Sequence, residues 1–281
     1  MRVAAVSWEI QDCPSIDSFF DHFRRLVRSC AGCGLIVFPE LPCLELLTHR
    51  DDLSPADMPG WLADQFAPVI GRFSEIAVEA KTDLVAGTYF SRANGGVTNN
   101  ALTALSDGAQ WIESAKVVLT QFEAVEWKLR PGQGLKRHLS RNFGVTVCYD
   151  SEFPLSARSL AESGCVIQAV PAFTESEYGF NRVRWSCHSR TIENQIFVIH
   201  RSLVGSLGRE PVPGAYGSSA VLCPPHPEFG APGVLVETPF NVEGVAIAEI
   251  DLGKIQSARD SGDVRNWHDR DRGDWTVTSI E

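Results

Sequence analysis

Three side chains fall where α/β proteins gather reactive groups, at the carboxyl ends of strands. Glu40 follows the apolar run 35–38, Lys116 lies in a strand-like run that starts at Trp111, and Cys148 ends the run 143–147. A carboxylate, an ammonium and a thiol together can run acyl transfer. A free thiol has a pKa of about 8.5, so little of it is thiolate at neutral pH. A carboxylate can take its proton as attack proceeds, while an ammonium favours the thiolate and stabilises the developing oxyanion. No histidine is required, and none of the seven sits in a comparable strand-end context. Each residue also has a purely structural reading: a buried hydrophobic thiol, a turn-capping Glu40, a Lys116 on an edge strand.

Other routes to chemistry are missing. There is no G-x-S-x-G elbow, H-E-x-x-H pair, phosphate-binding G-x-x-x-x-G-K loop or G-x-G-x-x-G turn; Gly132-Gln133-Gly134 is a fragment of the last. Eight cysteines stand at 13, 30, 33, 43, 148, 165, 187 and 223, mostly in apolar runs, which reads as buried free thiols. Cys30-Ala31-Gly32-Cys33 is a C-x-x-C, but no second such pair or H-x₃-H supports zinc. The expectation is an enzyme without metal or cofactor.

The elements that must position these groups alternate. Residues 3–8 read as a buried strand, 14–30 as a helix with Phe19, Phe20, Phe23, Leu26 and Val27 at helical spacing, and 35–38 as a strand stopped by Pro39. A helical pattern over 60–80 precedes strands at 83–90, 100–105 and 111–119. The second half repeats the theme: strand 143–148, helix 154–163, strand 166–170, helix 180–194 and strand 196–200. Strands at 218–223, 233–237 and 245–250 follow, read as antiparallel neighbours. Alternation argues α/β, and the surplus of strands argues a two-sheet sandwich with helices outside rather than one doubly wound sheet. With no linker or composition shift, 1–281 reads as a single domain whose charged end, 251–281, forms a C-terminal arm.

Composition bounds the partners. Hydrophobic residues make up 44%, enough to build a packed core. Asp plus Glu number 35 against 25 Lys plus Arg, a net charge of −10 that repels nucleic-acid phosphates. Arg182, Arg184, Arg190 and Arg201 are spread among apolar neighbours and form no basic patch. The most apolar stretch, 32–47, is broken by Pro39, Glu40, Pro42 and Glu45, too short for a membrane span. The first ten residues carry one basic residue and no export-signal core. A soluble cytoplasmic protein is expected.

The flanks of the three residues resemble the nitrilase superfamily, the carbon–nitrogen hydrolases, in its amidase-like branch. The resemblance rests on Phe38-Pro39-Glu40, on Ser114-Ala115-Lys116, and on Gly144-Val145-Thr146-Val147-Cys148-Tyr149-Asp150-Ser151-Glu152-Phe153-Pro154, with separations of 76 and 32 residues. Arg190-Thr191-Ile192-Glu193-Asn194 is similar to the family's helix end, Tyr216-Gly217-Ser218-Ser219 to its G-x-S turn and 244–252 to its closing strand, so the likeness covers nearly the whole chain. Around Lys116 the chain departs from the pattern: Ser-Ala precedes it and Val-Val follows, where members often have Tyr-Arg before and His two residues after.

The resemblance implies an α-β-β-α sandwich of two mixed sheets, usually paired into a homodimer or larger oligomer. It implies Glu40 as general base, Lys116 as electrostatic stabiliser, Cys148 as nucleophile and the Tyr149 N–H as oxyanion donor. A second glutamate of the family matches Glu126, upstream of Pro131-Gly132, with Glu123 as rival. Phe173, Glu175 and Tyr178 are expected as pocket walls. The expected activity is hydrolysis of a small non-peptide amide through a cysteine thioester, with a nitrilase or N-carbamoyl amidohydrolase as alternatives and a non-catalytic scaffold as the rival of another class.

Overall fold

The computed structural model describes residues 1–93, 95–109, 112–273 and 276–279. In chain order the elements are β1 (Arg2–Glu9), α1 (Ile16–Ser29), β2 (Leu35–Val37), α2 (Met58–Phe66), α3 (Arg72–Ala80), β3 (Asp83–Ala93), β4 (Gly96–Ala104), β5 (Ile112–Ala115), α4 (Gln121–Val125) and β6 (Phe143–Val145). Then come α5 (Pro154–Glu162), β7 (Ile167–Ala172), α6 (Glu177–Asn194), β8 (Phe197–Val204), β9 (Ala220–Leu222), β10 (Val234–Glu237), β11 (Gly244–Glu249), α7 (Leu252–Ser261) and α8 (Asn266–Asp269).

The strands form two mixed layers. One runs β11-β1-β2-β3-β4-β5, with β1, β2 and β3 parallel and the outer strands antiparallel. The other runs β6-β7-β8-β9-β10, with β6, β7 and β8 parallel. The two are joined at one corner, where the end of β1 pairs with β8 at Trp8–Leu203 and Glu9–Val204. Side chains of a strand alternate between faces. On β1, Val3 and Ala5 pack between the layers with Leu35, Val37, Phe143, Ile167 and Ala169. Ala4, Val6 and Trp8 point the other way, into the cluster built by Phe19, Phe20 and Phe23 of α1. The α-β-β-α expectation holds.

Several boundaries differ from the sequence reading. The helix expected over 60–80 is two, α2 and α3, separated by a 3-10 turn at Ala67–Val69. Pro68 lacks an N–H for the helical ladder, so the break has a cause. The strand expected at 111–119 is the short β5, so Lys116 stands one residue past its end; Trp111 lies outside the described residues. Among the three closing strands, β9 and β10 pair with each other, whereas β11 crosses to pair with β1.

The stretch read as an arm is mostly exposed but is anchored along α7. Asp251 caps α7 through bonds from the Gly253 and Lys254 N–H groups, and Ile255 and Ala258 are buried. Arg259 Nε and Nη2 donate to the Gln195 and Asn194 carbonyls at 3.0 and 2.9 Å, satisfying the end of α6. Residues 274, 275, 280 and 281 of that stretch lie outside the described residues. No helix among the described residues is long and apolar enough to cross a membrane.

Candidate active site

Glu40 is delivered by β2 and held by the aromatic layer beneath it. Phe38 stacks on Phe23 of α1 with ring centroids 4.1 Å apart and meets the edge of Trp8 at 6.0 Å. Its N–H bonds the Val85 carbonyl of β3 at 2.8 Å. After Glu40 the chain turns sharply through Leu41, at φ 53°, whose N–H donates to Thr88 Oγ1 at 3.1 Å. That turn lies so close to β3 that a Cβ on Gly87 would sit 2.3 Å from the Pro39 carbonyl oxygen, and Gly87 itself has φ +95°. Only glycine fits both conditions without strain.

Lys116 is fixed through its own backbone. Its N–H bonds the Asn99 carbonyl of β4 at 2.8 Å, and its carbonyl accepts from Gly132 N–H at 2.7 Å. A Cβ on Gly132 would lie 2.4 Å from the Ala115 carbonyl oxygen, so the Pro131-Gly132 pair serves as a close cover for this loop. Asp150 ties the lysine loop to the cysteine turn. Its carboxylate accepts from Val118 N–H at 2.7 Å, Val117 N–H at 3.2 Å and Val147 N–H at 3.4 Å.

Cys148 lies beyond the end of β6 rather than in it, as the first residue of a 3-10 turn, Cys148–Glu152. Its φ of 44° is left-handed. Such a conformation costs a non-glycine residue about 1–3 kcal/mol. Ser151 Oγ donates to the Cys148 carbonyl at 2.6 Å, which anchors the turn. The first N–H groups of a helical turn have no acceptor within it, so Tyr149, second in the turn, is suitably placed to offer one to an incoming oxygen.

The three side chains converge in the interior: Glu40, Lys116 and Cys148 are 3, 2 and 5% exposed. Lys116 Nζ lies 2.9 Å from Glu40 Oε1 and 2.8 Å from Glu123 Oε2. Asn99 Nδ2 donates to the same two carboxylates, at 2.9 Å to Glu40 Oε1 and 3.0 Å to Glu123 Oε1. The backbone of Phe173, just past β7, brackets the pair: its N–H donates to Glu40 Oε2 at 3.1 Å and its carbonyl lies 3.6 Å from Cys148 Sγ. With Oε1 of Glu40 already accepting two donors, Oε2 is the oxygen left to receive a proton.

Of the two glutamates expected as the second carboxylate, the structure brings Glu123 to Lys116 and leaves Glu126 outside. Glu126 follows the end of α4 and is exposed, whereas Glu123 is buried. The reason is a capping box: Thr120 Oγ1 accepts from Glu123 N–H at 3.3 Å, and Thr120 N–H donates to Glu123 Oε2 at 2.8 Å. The spacing Thr120-x-x-Glu123 carried that signal in the sequence.

Burial and charge set the protonation states. Burial pushes Glu40 above the usual carboxylate range, with Lys116 opposing and Glu123 adding to the rise. Burial also acts on Glu123, but there the Lys116 charge and the bonds from Lys116, Thr120 and Asn99 overcome it and hold the group below its usual range. For Lys116, burial is outweighed by Glu123, Glu40 and Cys148, which keep it firmly charged. Burial, then the nearby Glu40 charge, lifts the Cys148 thiol well above its ordinary value despite Lys116. The resting sulfur is therefore a thiol with a base beside it.

The site opens into a cavity of about 620 Å³. Its lining includes Tyr149, Phe173 and Glu175, as expected, and adds Trp127, Glu152 and Arg182. Tyr178, expected as a wall, is 81% exposed and lines no part of it, because the first turn of α6 carries it outward. Sequence reasoning missed Asn99, whose amide carries no distinguishing motif, and the tethering role of Asp150. Cys30 and Cys33 are buried free thiols at the end of α1, and burial pushes Cys30 up to about 12.

This sandwich is the fold of the nitrilase superfamily. The chain belongs to the carbon–nitrogen hydrolase family, whose profile matches residues 2–260. It is 29% identical over 279 residues to the probable hydrolase YhcX of Bacillus subtilis, covering 97% of this chain and 54% of that protein, so it spans about half that relative's length. It is 25% identical over 223 residues to the deaminated glutathione amidase of Dictyostelium discoideum, covering 72% of each. Nit3 of Saccharomyces cerevisiae superposes with a TM-score of 0.76 at 23% identity, over 94% of both chains.

Proposed function

We propose that the protein is an amidase acting on small non-peptide amides through a thioester on Cys148. The observation that carries this reading is the buried ammonium of Lys116, 2.9 and 2.8 Å from two carboxylates, in the cavity that Cys148 lines. As Cys148 Sγ bonds to the amide carbon, its proton passes to Glu40 Oε2. The carbonyl π electrons move to oxygen, where the Tyr149 N–H and Lys116 stabilise the negative charge. Collapse of this intermediate breaks the C–N bond, and Glu40 gives its proton to the departing nitrogen. Ammonia or an amine leaves and a thioester remains. Glu40 then takes a proton from water, the hydroxide adds to the thioester carbon, and the acid departs as Cys148 regains a proton.

Glu123 is assigned a positioning role. With its carboxylate held ionised, it keeps Lys116 charged and leaves Glu40 as the group that exchanges protons, the division of labour expected when neighbouring carboxylates have separated pKa values. An amide is preferred to a nitrile because Cys148 is followed by Tyr149-Asp150-Ser151-Glu152-Phe153-Pro154, and a curated relative is named as an amidase. Ammonia release from a panel of small amides, carbamoyl compounds and nitriles tests the reading. Turnover of amides that Cys148→Ala abolishes is expected. Turnover confined to nitriles or carbamoyl compounds would replace it, and none at all would favour a binding scaffold.

A further inference from the structure

Inside the cavity the cation is already matched, since Lys116 is flanked by Glu40 and Glu123. Further out the balance changes. Glu152 ends the turn that Cys148 begins, four residues along, and it lines the same cavity. At about 2 Å of rise per residue, its backbone stands roughly 8 Å from the nucleophile's. The Glu152 side chain is 21% exposed, and its nearest cation, Arg182 Nε, is 3.9 Å away, beyond hydrogen-bond distance. Arg182 is itself 65% exposed, so this loose pair is screened and weak. Partial burial raises the Glu152 carboxyl above its ordinary range, with Arg182 and Lys116 opposing, and among the described residues no hydrogen bond contributes. Glu175, also in the cavity lining, is more exposed; desolvation and then the charge of Glu210 push its carboxyl up. A half-buried carboxylate without a donor, as Glu152 is among the described residues, is costly unless something supplies one.

We propose that Glu152 is a specificity-determining residue of this site, selecting amides whose acyl chain carries an ammonium group a few methylenes from the reacting carbonyl, with Glu175 as a second acceptor at the mouth. The inference rests on the amidase reading above. A cation at that distance reaches Glu152 while its carbonyl lies at Cys148. A substrate carboxylate in the same place meets two carboxylates and only the exposed Arg182.

The test compares three amides of matched length: δ-aminovaleramide, hexanamide and adipamic acid, which end in an ammonium, a methyl and a carboxylate. Binding is measured by calorimetry to the Cys148→Ala protein, where no turnover is needed, and kcat/KM is measured on the wild type. δ-Aminovaleramide is expected to bind tightest. Glu152→Gln should weaken it by roughly tenfold or more, the scale of one charge-assisted hydrogen bond, and leave hexanamide unchanged. Glu152→Lys should shift the preference to adipamic acid. Equal affinity for all three amides, or the same loss for all three on Glu152→Gln, would overturn the inference. The two readings fail separately: hexanamide hydrolysis without charge preference removes this one alone, and a Glu152-dependent preference without hydrolysis by the wild type removes the amidase reading alone.

Discussion

Glu40 and Glu123 share the same two donors, Lys116 Nζ and Asn99 Nδ2, yet their protonation behaviour diverges. Two carboxylates on one lysine would otherwise compete for a proton. The difference comes from the remaining neighbours. Glu123 also receives the Thr120 N–H of its capping box, whereas Glu40 is fully enclosed and faces the Cys148 thiol. Asn99 can present only its amide nitrogen to two ionised acceptors, so its orientation is set by charge.

Glu123→Gln should therefore lower kcat substantially, by ~10²-fold, because Lys116 loses its stronger partner and Glu40 is drawn into the pair. Glu126→Gln should leave turnover unchanged, since Glu126 is exposed beyond α4. Steady-state kinetics of the two variants checks the assignment, and a larger loss from Glu126→Gln would reverse it.

Cys148→Ala should lose ~10³-fold or more in turnover. Of the eight buried cysteines, Cys148 is the one that lines the cavity among the described residues. Iodoacetamide labelling followed by peptide mapping should find it first, at a rate that rises with pH because its thiol titrates above the ordinary range. Labelling of Cys43 or Cys187 with Cys148 untouched would refute the assignment.

The acid limb of kcat/KM should lie above the usual carboxylate range of about 4.3. Glu40 must be ionised to act as base, and burial raises its pKa, so activity falls as pH drops through that raised value. Lys116→Gln removes the charge that opposes this rise. It should move the limb to still higher pH, cost ~10²–10³-fold in kcat and slow alkylation of Cys148 at neutral pH. Lys116→Arg should restore little, because a planar fork does not replace a compact ammonium between two carboxylates. An unshifted limb and normal alkylation would place Lys116 outside the chemistry.

Away from the site, His22 of α1 lies between Glu45, with Nδ1 at 2.9 Å, and Glu243, with Nε2 at 2.6 Å, while Arg25 holds the far side of Glu243 at 2.7 Å. Burial lowers the His22 pKa, but the bonds to Glu243 and Glu45 outweigh it and leave the value raised. Its stabilisation is then complete below the unfolded pKa of about 6.5 and is lost as pH rises through the higher folded value. The Tm difference between wild type and His22→Gln should narrow from acid to alkaline pH. A gap that stays constant or widens would contradict the raised pKa.

Much of this was legible in the chain. The runs at β1, β2, β7 and β8 are buried and mostly apolar, with Ser7, Gln168, His200, Arg201 and Ser202 as buried polar exceptions. The Phe-Pro-Glu turn and the cysteine signature are local, so the strand ends they mark carry Glu40 and Cys148. Lys116 stands out by its strand-like run and its spacing from Glu40 and Cys148, although β5 stops before it and its neighbours depart from the family pattern. What stayed hidden depends on distant segments. Asn99 matters because β4 lies beside β5, and α7 is docked through carbonyls at the end of α6. Such pairings arise from tertiary packing, which overrides any local periodicity.

The corner where β1 meets β8 has a consequence for how the molecule fails. Glu40 and Lys116 descend from one sheet, and Cys148 and the Phe173 clasp from the other. On the proposed mechanism, catalytic competence is thus a property of the seam between the sheets and of neither alone. A slip of one layer against the other by a single ångström would part the sulfur from its base before any helix unwound. Activity should serve as a sensitive gauge of registry between the sheets, fading in mild denaturant while circular dichroism still reports intact secondary structure.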